Sequence, residues 1–436
     1  MGNGLLRLLI CIKIVNIQRI TNSVLARDSF WAVVGNGLGN AFLLLAGIFI
    51  ARLLGKDLYG EYGVVKTTMM YSATFATFGL GITSTKFLSE YLQEKNHYAL
   101  SLMRDSLRVT LVFSLCIAVL ILLAAPALSS YLKHPSLALA FRMLSGIIVF
   151  KALVTTQQGI LAGLHAFRAA GINNILAGLS MLVISVPLTY WFGLRGALGA
   201  LMTSQVIACV LNYFSIRRCR VTLIDEPQAE HSFVRELISF SFPIALQESS
   251  FSICSWLGIM LLTRYATVGD VGIFTASLQW NVIIMLIPTL LSNVVLAHLS
   301  GTTQNQETHK TTMRRMILVN VVCAILPFIV IYPLCGHISQ LYGSDFSTMT
   351  SVLRILLLDA LLFSITTVFK SEYIAQGHNW LLFIVRLVKD TLLVVLAYVL
   401  LQGVLPWSGA VCYAVAYISS SVIYLLLIVG LYFAKC

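Results

Sequence analysis

The residues of this sequence that could do chemistry are charged side chains embedded in long apolar runs. The deepest of them are five cations and four carboxylates: Lys66, Lys151, Lys370, Arg386, Lys389, Glu248, Asp359, Glu372 and Asp390. A charge at the centre of a bilayer costs at least ~2.5 kcal/mol, so such a side chain faces an ionic partner or a water-filled cavity. These residues therefore predict an internal site for an ionic substrate, a coupling ion, or both.

The first half of the chain places only cations at this depth. Lys151 lies near the middle of its apolar run, and this half has no acid at comparable depth to neutralise it. Lys66 either lines the same cavity, reaches the membrane surface or meets Glu61. We predict that Lys151 and Lys66 bind an anion, and phosphate is the anion we expect because lysine binds it through charge-assisted hydrogen bonds. Asn36 and Asn40, spaced i,i+4, either line this cavity or join helices by hydrogen bonds.

The second half carries both signs of charge. Arg386 and Asp390 are spaced i,i+4, which is typical of an ion pair on one helix. Lys370 and Glu372 either face the cavity or extend to the inner membrane surface. Glu248 either exchanges a proton or Na⁺ or accepts hydrogen bonds from a helix turn. The predicted substrate-binding residues of this half are Lys370, Arg386 and Lys389, and the predicted ion-coupling residues are Glu248, Asp359 and Asp390.

No pattern in the sequence indicates catalysis, a cofactor or a metal site. The HExxH, Walker A and GxSxG patterns do not occur. The nine cysteines are scattered and form no CxxC pair. We therefore expect a protein that is not an enzyme and that uses no cofactor other than a coupling H⁺ or Na⁺.

Long apolar segments must position these charges. The chain has 436 residues, of which 58% are hydrophobic and 11% charged, and its mean hydropathy is +0.89. These values indicate an all-α polytopic membrane protein and exclude a soluble globular protein. Runs of about 20 apolar residues, long enough to cross the hydrocarbon, predict twelve transmembrane helices at 29–52, 63–87, 107–128, 139–164, 170–192, 195–216, 236–263, 270–298, 315–335, 350–376, 380–402 and 407–433. The net charge of +12 lies mostly between these runs, so we expect no nucleic-acid partner.

The spans form two repeats. The stretch IFIARLLGKDLYGEY (48–62) has a counterpart in LLTRYATVGDVGIF (261–274), and Arg52 of the first corresponds to Arg264 of the second, 212 residues later. A shared offset between distant segments indicates an internal duplication. Arg52 and Arg264 either bind the substrate or anchor helix ends at the headgroups. The predicted divisions are an interfacial segment 1–28, a six-helix lobe 29–216, a linker 217–235 and a six-helix lobe 236–436.

The distribution of basic residues predicts the orientation. Lysine and arginine are more frequent in the segments that lie on the same side as the linker 217–235 than in those on the opposite side. Cytoplasmic loops carry such an excess. We therefore predict that both termini are cytoplasmic and that the two arginine turns face outward.

Three short motifs near the first turn carry a family resemblance. ARLLG ends the first span, YGEYG follows the turn, and FGLG (78–81) precedes a basic inner end. This pattern resembles the Wzx-type polysaccharide flippases, which belong to the multidrug/oligosaccharidyl-lipid/polysaccharide (MOP) exporter superfamily. The similarity in hydropathy covers about residues 29–433, whereas the motifs are confined mostly to 45–91 and their echo at 261–274.

The resemblance implies two six-helix lobes in a V and alternating access to a central cationic cavity. It implies export of an undecaprenyl-diphosphate-linked glycan across the bacterial inner (cytoplasmic) membrane, with the prenyl tail in membrane lipid. The partners it implies are a glycan polymerase and a chain-length regulator. Coupling to H⁺ or Na⁺ fits the same resemblance.

Three alternative functions stay open at this point. A cation-coupled multidrug exporter of the same superfamily would need acids in the cavity, and the first lobe offers lysines. A flippase for the lipid-linked peptidoglycan precursor usually has fourteen spans, whereas twelve are predicted here. A non-transporting membrane partner of a glycan assembly complex would need neither the duplication nor the buried charges.

Overall fold

The computed structural model is built from α-helices and describes residues 24–94, 98–135, 137–221, 232–300, 306–376, 378–404 and 406–435. The helices are α1 Val24–Thr77, α2 Leu80–Glu94, α3 Ala99–Leu132, α4 Leu137–Gly163, α5 Phe167–Val221, α6 Val234–Tyr265, α7 Val268–Ser300, α8 Gln306–Tyr342, α9 Met349–Ala375, α10 Asn379–Val399 and α11 Gly409–Lys435. Of the predicted segment 1–28, residues 1–23 lie outside the described residues, as do residues 222–231 of the predicted linker.

Two of these helices cross the membrane twice. Helices α1 and α5 contain 54 and 55 residues, and a straight helix of that length would extend ~80 Å, far beyond a ~30 Å hydrocarbon core. Each breaks instead at a glycine with positive φ, Gly55 in α1 (φ 72°) and Gly193 in α5 (φ 58°). Glycine adopts this conformation without the steric cost that a Cβ atom imposes. The two limbs of each helix therefore run in opposite directions.

The described helices provide twelve crossings. Eight of the described helices are long and apolar enough to cross a membrane, and because α1 and α5 each provide two crossings, these eight helices provide ten. Helices α6 and α10 complete the second lobe; α10 is distinguished by its three charged residues, Arg386, Lys389 and Asp390. The prediction of an all-α protein with twelve transmembrane helices in two six-helix lobes is confirmed.

The packing of buried side chains differs between the two ends of the molecule. We call the end that carries Arg52 and Arg264 the turn end, and the opposite end the linker end. At the turn end a single core joins both lobes, with Tyr59 and Tyr62 of α1 in the same cluster as Phe274 of α7. At the linker end two separate clusters occur, one in α2 to α5 and the start of α6, the other in α7 to α11. The lobes therefore join at the turn end and diverge toward the linker end.

Helix α6 is the exception to this divergence, because its first turns pack on the first lobe. The backbone N–H of Phe233 donates a hydrogen bond to Asp105 Oδ2 of α3 (3.0 Å). Further along α6, the hydroxyls of Ser241 and Thr83 are 2.7 Å apart. Helix α6 thus links the two lobes directly, which the sequence did not predict.

The contact between the lobes at the turn end reproduces the sequence repeat. Gly60 packs on the backbone of Val268, and Gly272 packs on the backbone of Lys56. The two contacts are equivalent under the shift of 212 residues, as a two-fold axis between the lobes requires. A methyl group on Gly272 would lie 2.6 Å from the carbonyl oxygen of Lys56. The glycines of the repeat are therefore needed for the lobes to approach this closely.

We expect Gly60→Ala to destabilise the protein, because a methyl group there overlaps the Val268 carbonyl and overpacking costs about 1–3 kcal/mol. Thermal unfolding in detergent measures the effect. Gly430→Ala is the matched control, since a methyl group at that helical position meets no atom within 4 Å. The control should be neutral or slightly stabilising. Equal unfolding temperatures for the two variants would contradict the proposed role of Gly60.

Candidate functional site

A cavity within the second lobe is lined by four of the nine intramembrane charged residues. It has a volume of about 250 Å³ and is enclosed by α6, α7, α9, α10 and α11. Its lining residues are Phe251, Met285, Asp359, Leu362, Phe363, Thr366, Thr367, Lys370, Leu382, Arg386, Lys389, Tyr417, Ser421 and Tyr424. Lining residues three, four or seven positions apart on one helix share a face, as in Tyr417, Ser421 and Tyr424. Helical periodicity thus brings the predicted charges of α9 and α10 to a common space.

Arg386 is at the centre of the charge pairing. Its Nη1 lies 3.7 Å from Glu248 Oε1 of α6, and its Nε lies 3.8 Å from Asp390 Oδ2 of α10. The guanidinium also stacks 4.7 Å from the ring centroid of Phe251. The predicted ion pair between Arg386 and Asp390 is confirmed. Because two carboxylates share this one guanidinium, Arg386 itself offers little unbalanced charge to a substrate.

The two lysines of the cavity lie in a different environment. Lys389 Nζ is 5.7 Å from the ring centroids of both Tyr417 and Tyr424. Lys370 lines the same cavity from α9. Among the described residues, neither ammonium group lies within ion-pair distance of a carboxylate. An anion that entered this cavity would therefore meet two lysines beside aromatic walls, a setting that suits both phosphate and the apolar faces of sugar rings.

Asp359 is the carboxylate that lines the cavity among the described residues. Its exposed fraction is 3%, and its Oδ1 accepts no hydrogen bond from the described residues. A buried carboxylate oxygen without a donor is costly, so it favours binding of a proton or a cation. Asp390 is also buried but pairs with Arg386. Across the described ranges, no three His, Cys, Asp or Glu side chains are close enough to hold a metal ion.

The predicted first-lobe lysines lie apart from this cavity. Lys66 is on the second limb of α1, with its Nζ 6.0 Å from the Tyr62 ring centroid. Two nearby residues of the same limb contact the second lobe. Gly63 packs against Thr275, and Thr68 accepts a hydrogen bond from Trp256 Nε1. Lys151 is half-buried on α4 and has no ion-pair partner in the described part of the chain. Substrate binding by these two residues stays a prediction.

Asn36, one of the two predicted asparagines, joins helices of the first lobe. Asn174 Nδ2 of α5 donates to Asn36 Oδ1 of α1 (2.9 Å), and Gln158 Nε2 of α4 donates to Asn174 Oδ1 (2.7 Å). Asn40 is exposed. Asn36 and Glu248 are 212 residues apart and occupy equivalent positions in the two repeats. The amide contact of the first lobe therefore corresponds to the Glu248–Arg386 ion pair of the second.

The two arginine turns do not reach the cavity. Arg52 is exposed at the end of the first limb of α1. Arg264 stacks 5.7 Å from the ring centroid of Tyr131, at the end of α3 in the first lobe. Arg264 therefore contributes to the contact between the lobes at the turn end.

The position of Glu372 contradicts the prediction that it faces the cavity or reaches the inner membrane surface. It neither faces the cavity nor extends to the membrane surface, because its exposed fraction is 0%. Its Oε1 lies 2.7 Å from His309 Nε2 of α8 and also accepts a hydrogen bond from Gln376. Sequence analysis missed this pair because His309 is 63 residues away and no local spacing relates them. It also missed the aromatic walls, since tyrosines within apolar runs carry no signal of their own.

Comparison with known proteins places the chain in a family. Residues 25–297, more than half of the chain, match the model of the family described as polysaccharide biosynthesis protein. The chain belongs to this family. Its relatives include a putative O-antigen transporter of Shigella flexneri, 21% identical over 70% of this chain and 73% of the relative. Another is the EPS I polysaccharide export inner membrane protein EpsE of Ralstonia nicotianae, 22% identical over 86% of this chain and 88% of the relative.

Solved structures share the fold. An inward-facing multidrug resistance MATE family transporter of the MOP superfamily superposes with a TM-score of 0.76 at 16% identity, covering 92% of this chain and 97% of the transporter. The lipid II flippase MurJ, in an inward closed conformation, gives a TM-score of 0.68 at 16% identity, covering 92% of this chain and 87% of MurJ. The predicted fold of the MOP-superfamily transporters is confirmed, and this member of the polysaccharide biosynthesis protein family is a multi-pass membrane protein.

We expect Arg386→Gln to destabilise the protein by about 3 kcal/mol, because it leaves the buried Asp390 carboxylate without its partner. Adding Asp390→Asn should recover part of that loss. Chemical unfolding in detergent measures both. Arg354→Gln is a suitable control, since Arg354 stacks on Tyr332 and forms no ion pair in the described residues. If Asp390→Asn gave no recovery, the ion pair would not be the source of the stability.

Proposed function

We propose that this family member is a flippase that moves an undecaprenyl-diphosphate-linked oligosaccharide from the cytoplasmic to the periplasmic leaflet of the bacterial inner membrane. The supporting observation is the cavity that Lys370, Arg386 and Lys389 line within membrane-crossing helices. A diphosphate is anionic and a glycan is polar, so neither crosses ~30 Å of hydrocarbon unaided. The family match and the names of the relatives support the same cargo class.

The cavity suits the diphosphate part of this cargo. Lys370 and Lys389 would bind its oxygens, while the rings of Tyr417 and Tyr424 would pack on the first sugar. Arg386 would hold α10 against α6 through its pair with Glu248, which keeps Lys389 of α10 on the cavity side. The rest of the glycan would occupy the space between the lobes, with the prenyl tail in lipid at their open side.

The packing of the lobes supports the proposed direction of transport. They share a core at the turn end and have separate cores at the linker end. With both termini in the cytoplasm, this arrangement would admit cargo from the cytoplasmic leaflet. Closing the linker end and opening the turn end would then release it outward, where Arg52 and Arg264 would meet the diphosphate. Lys66 and Lys151 would line the path from the first lobe.

We expect the double variant Lys370→Gln/Lys389→Gln to abolish surface polysaccharide in cells that depend on this protein for export. Lipid-linked precursor should accumulate at the same time, because the anion loses its unpaired cations. Surface glycan and precursor are quantified together, with protein level as a check. Lys310→Gln, an exposed lysine of α8, should behave as the unaltered protein. Normal surface glycan from the double variant would remove this cavity from the mechanism.

Asp359 is the residue we propose for ion coupling, supported by Glu248 and Asp390. Its buried Oδ1 lies free of hydrogen bonds within the described residues, so it can take up H⁺ or Na⁺ without breaking an existing pair. A cation bound there would alter the field at Lys389, which lines the same cavity. Uptake of the ion from one side and release to the other would couple transport to its gradient.

We expect Asp359→Asn to make export insensitive to the ion gradient, since an amide can bind neither H⁺ nor Na⁺ with a carboxylate's affinity. Glycan export is measured in cells or vesicles with the proton or sodium gradient imposed and collapsed. The neighbouring Ser364→Ala, a buried residue of the same helix, serves as the control. An Asp359→Asn protein that still responded fully to the gradient would exclude Asp359 as the coupling site.

The alternative of a cation-coupled multidrug exporter has one observation in its favour, the three carboxylates beside the cavity. Two of them, Glu248 and Asp390, are engaged by Arg386 and would not be free to bind a cationic drug. The anionic cargo therefore remains the better fit.

As partners we propose a glycan polymerase and a chain-length regulator, which copurification from membranes would identify.

A further inference from the structure

A second cavity opens on the outer surface of the first lobe, far from the charged cavity. Its volume is about 360 Å³, and it lies among α3, α4 and α5. The walls include the apolar side chains of Leu111, Leu153 and Val210. Leu111 and Val210 are 41% and 46% exposed on the surface of the helix bundle. In a membrane protein such a surface faces lipid, so the natural occupant of the cavity is a lipid molecule.

One side of the cavity carries a positive charge. Arg108, which lines it, has its Nη1 3.7 Å from Asp105 Oδ1, and the Nε of Arg104 is 3.8 Å from the same oxygen. The other oxygen of Asp105 accepts the hydrogen bond from Phe233 N. One buried carboxylate therefore serves two arginines, and a positive charge remains. The Arg108 side chain is 66% exposed, so its guanidinium is available to an external anion.

The cavity also contains a buried polar atom without a partner. Gln157 is 3% exposed and lines the cavity. Its Nε2 lies 3.5 Å from Cys209 Sγ, whereas its Oε1 accepts no hydrogen bond from the residues that the structure describes. Leaving a buried amide oxygen unsatisfied costs about 1–3 kcal/mol. A ligand that donates a hydrogen bond here would recover that free energy.

We propose that this cavity binds an anionic phospholipid of the phosphatidylglycerol type. Its phosphate pairs with Arg108, a hydroxyl of its headgroup donates to Gln157 Oε1, and one acyl chain lies along Leu111, Leu153 and Val210. Arg108 is placed for this role, because the sequence from 109 to 132 contains no charge and enters the hydrocarbon directly above it. With both termini in the cytoplasm, the site faces the leaflet whose anionic lipids attract basic residues.

Lipid binding to the purified full-length chain tests the proposal without any transport assay. Native mass spectrometry from detergent compares phosphatidylglycerol with zwitterionic phosphatidylethanolamine. We expect the unaltered protein to prefer phosphatidylglycerol and Arg108→Gln to weaken that binding about fivefold, the effect of one basic residue at a membrane surface. Gln157→Leu should weaken it as well. Arg315→Gln is the matched control: it removes an exposed arginine of α8 at the same end of the molecule and touches neither Asp105 nor the cavity.

Three results would overturn the proposal. Equal loss from Arg315→Gln would indicate an effect of general surface charge. Equal binding of both lipids would exclude preference for the anionic headgroup. Competition by glycerol 3-phosphate as strong as that by the lipid would show that the acyl groove plays no part. Thermal unfolding in phosphatidylethanolamine alone separates folding from binding, since Arg108→Gln and Arg315→Gln should then unfold at the same temperature.

Discussion

The cost of charge in hydrocarbon is the constraint on which the second lobe depends. Glu248, Asp359, Lys370, Arg386 and Lys389 would each destabilise a lipid-facing helix by several kcal/mol. Placed on α6, α9 and α10 with their charged faces turned inward, they line or border one cavity, and Glu248 of α6 pairs with Arg386 of α10. That ion pair joins α6 to α10. The lobe is therefore stabilised by the groups that would bind cargo.

The duplication explains how two lobes can have different roles on one architecture. The reciprocal packing of Gly60 on Val268 and of Gly272 on Lys56 joins the repeats at the turn end. Within each lobe the equivalent helix pair is joined by polar side chains, through amides at Asn36 in the first and through ions at Glu248 in the second. A neutral first-lobe contact stabilises without attracting ions, and its charged equivalent borders the cavity. At this equivalent contact, the charged side chains therefore occur only in the second of the two repeats.

The sequence predicted what depends on composition and local spacing. Apolar runs gave the twelve crossings, the offset between Arg52 and Arg264 gave the two lobes, and i,i+4 spacing gave the Arg386–Asp390 pair. Contacts between distant helices were not predictable, because many partners are compatible with the same local pattern. Three contacts belong to this class: the packing of α6 on the first lobe, the tyrosines around Lys389 and the Glu372–His309 pair.

The place where a diphosphate binds tests the central claim most directly. The full-length protein in lipid nanodiscs is photolabelled with a prenyl diphosphate that carries a photoreactive group on its terminal phosphate, and the labelled peptides are mapped. We predict label on the segment from Lys370 to Lys389, displaced by unlabelled prenyl diphosphate and not by prenyl alcohol. Label confined to α1 and α4, or label that the diphosphate fails to displace, would contradict binding in the second-lobe cavity.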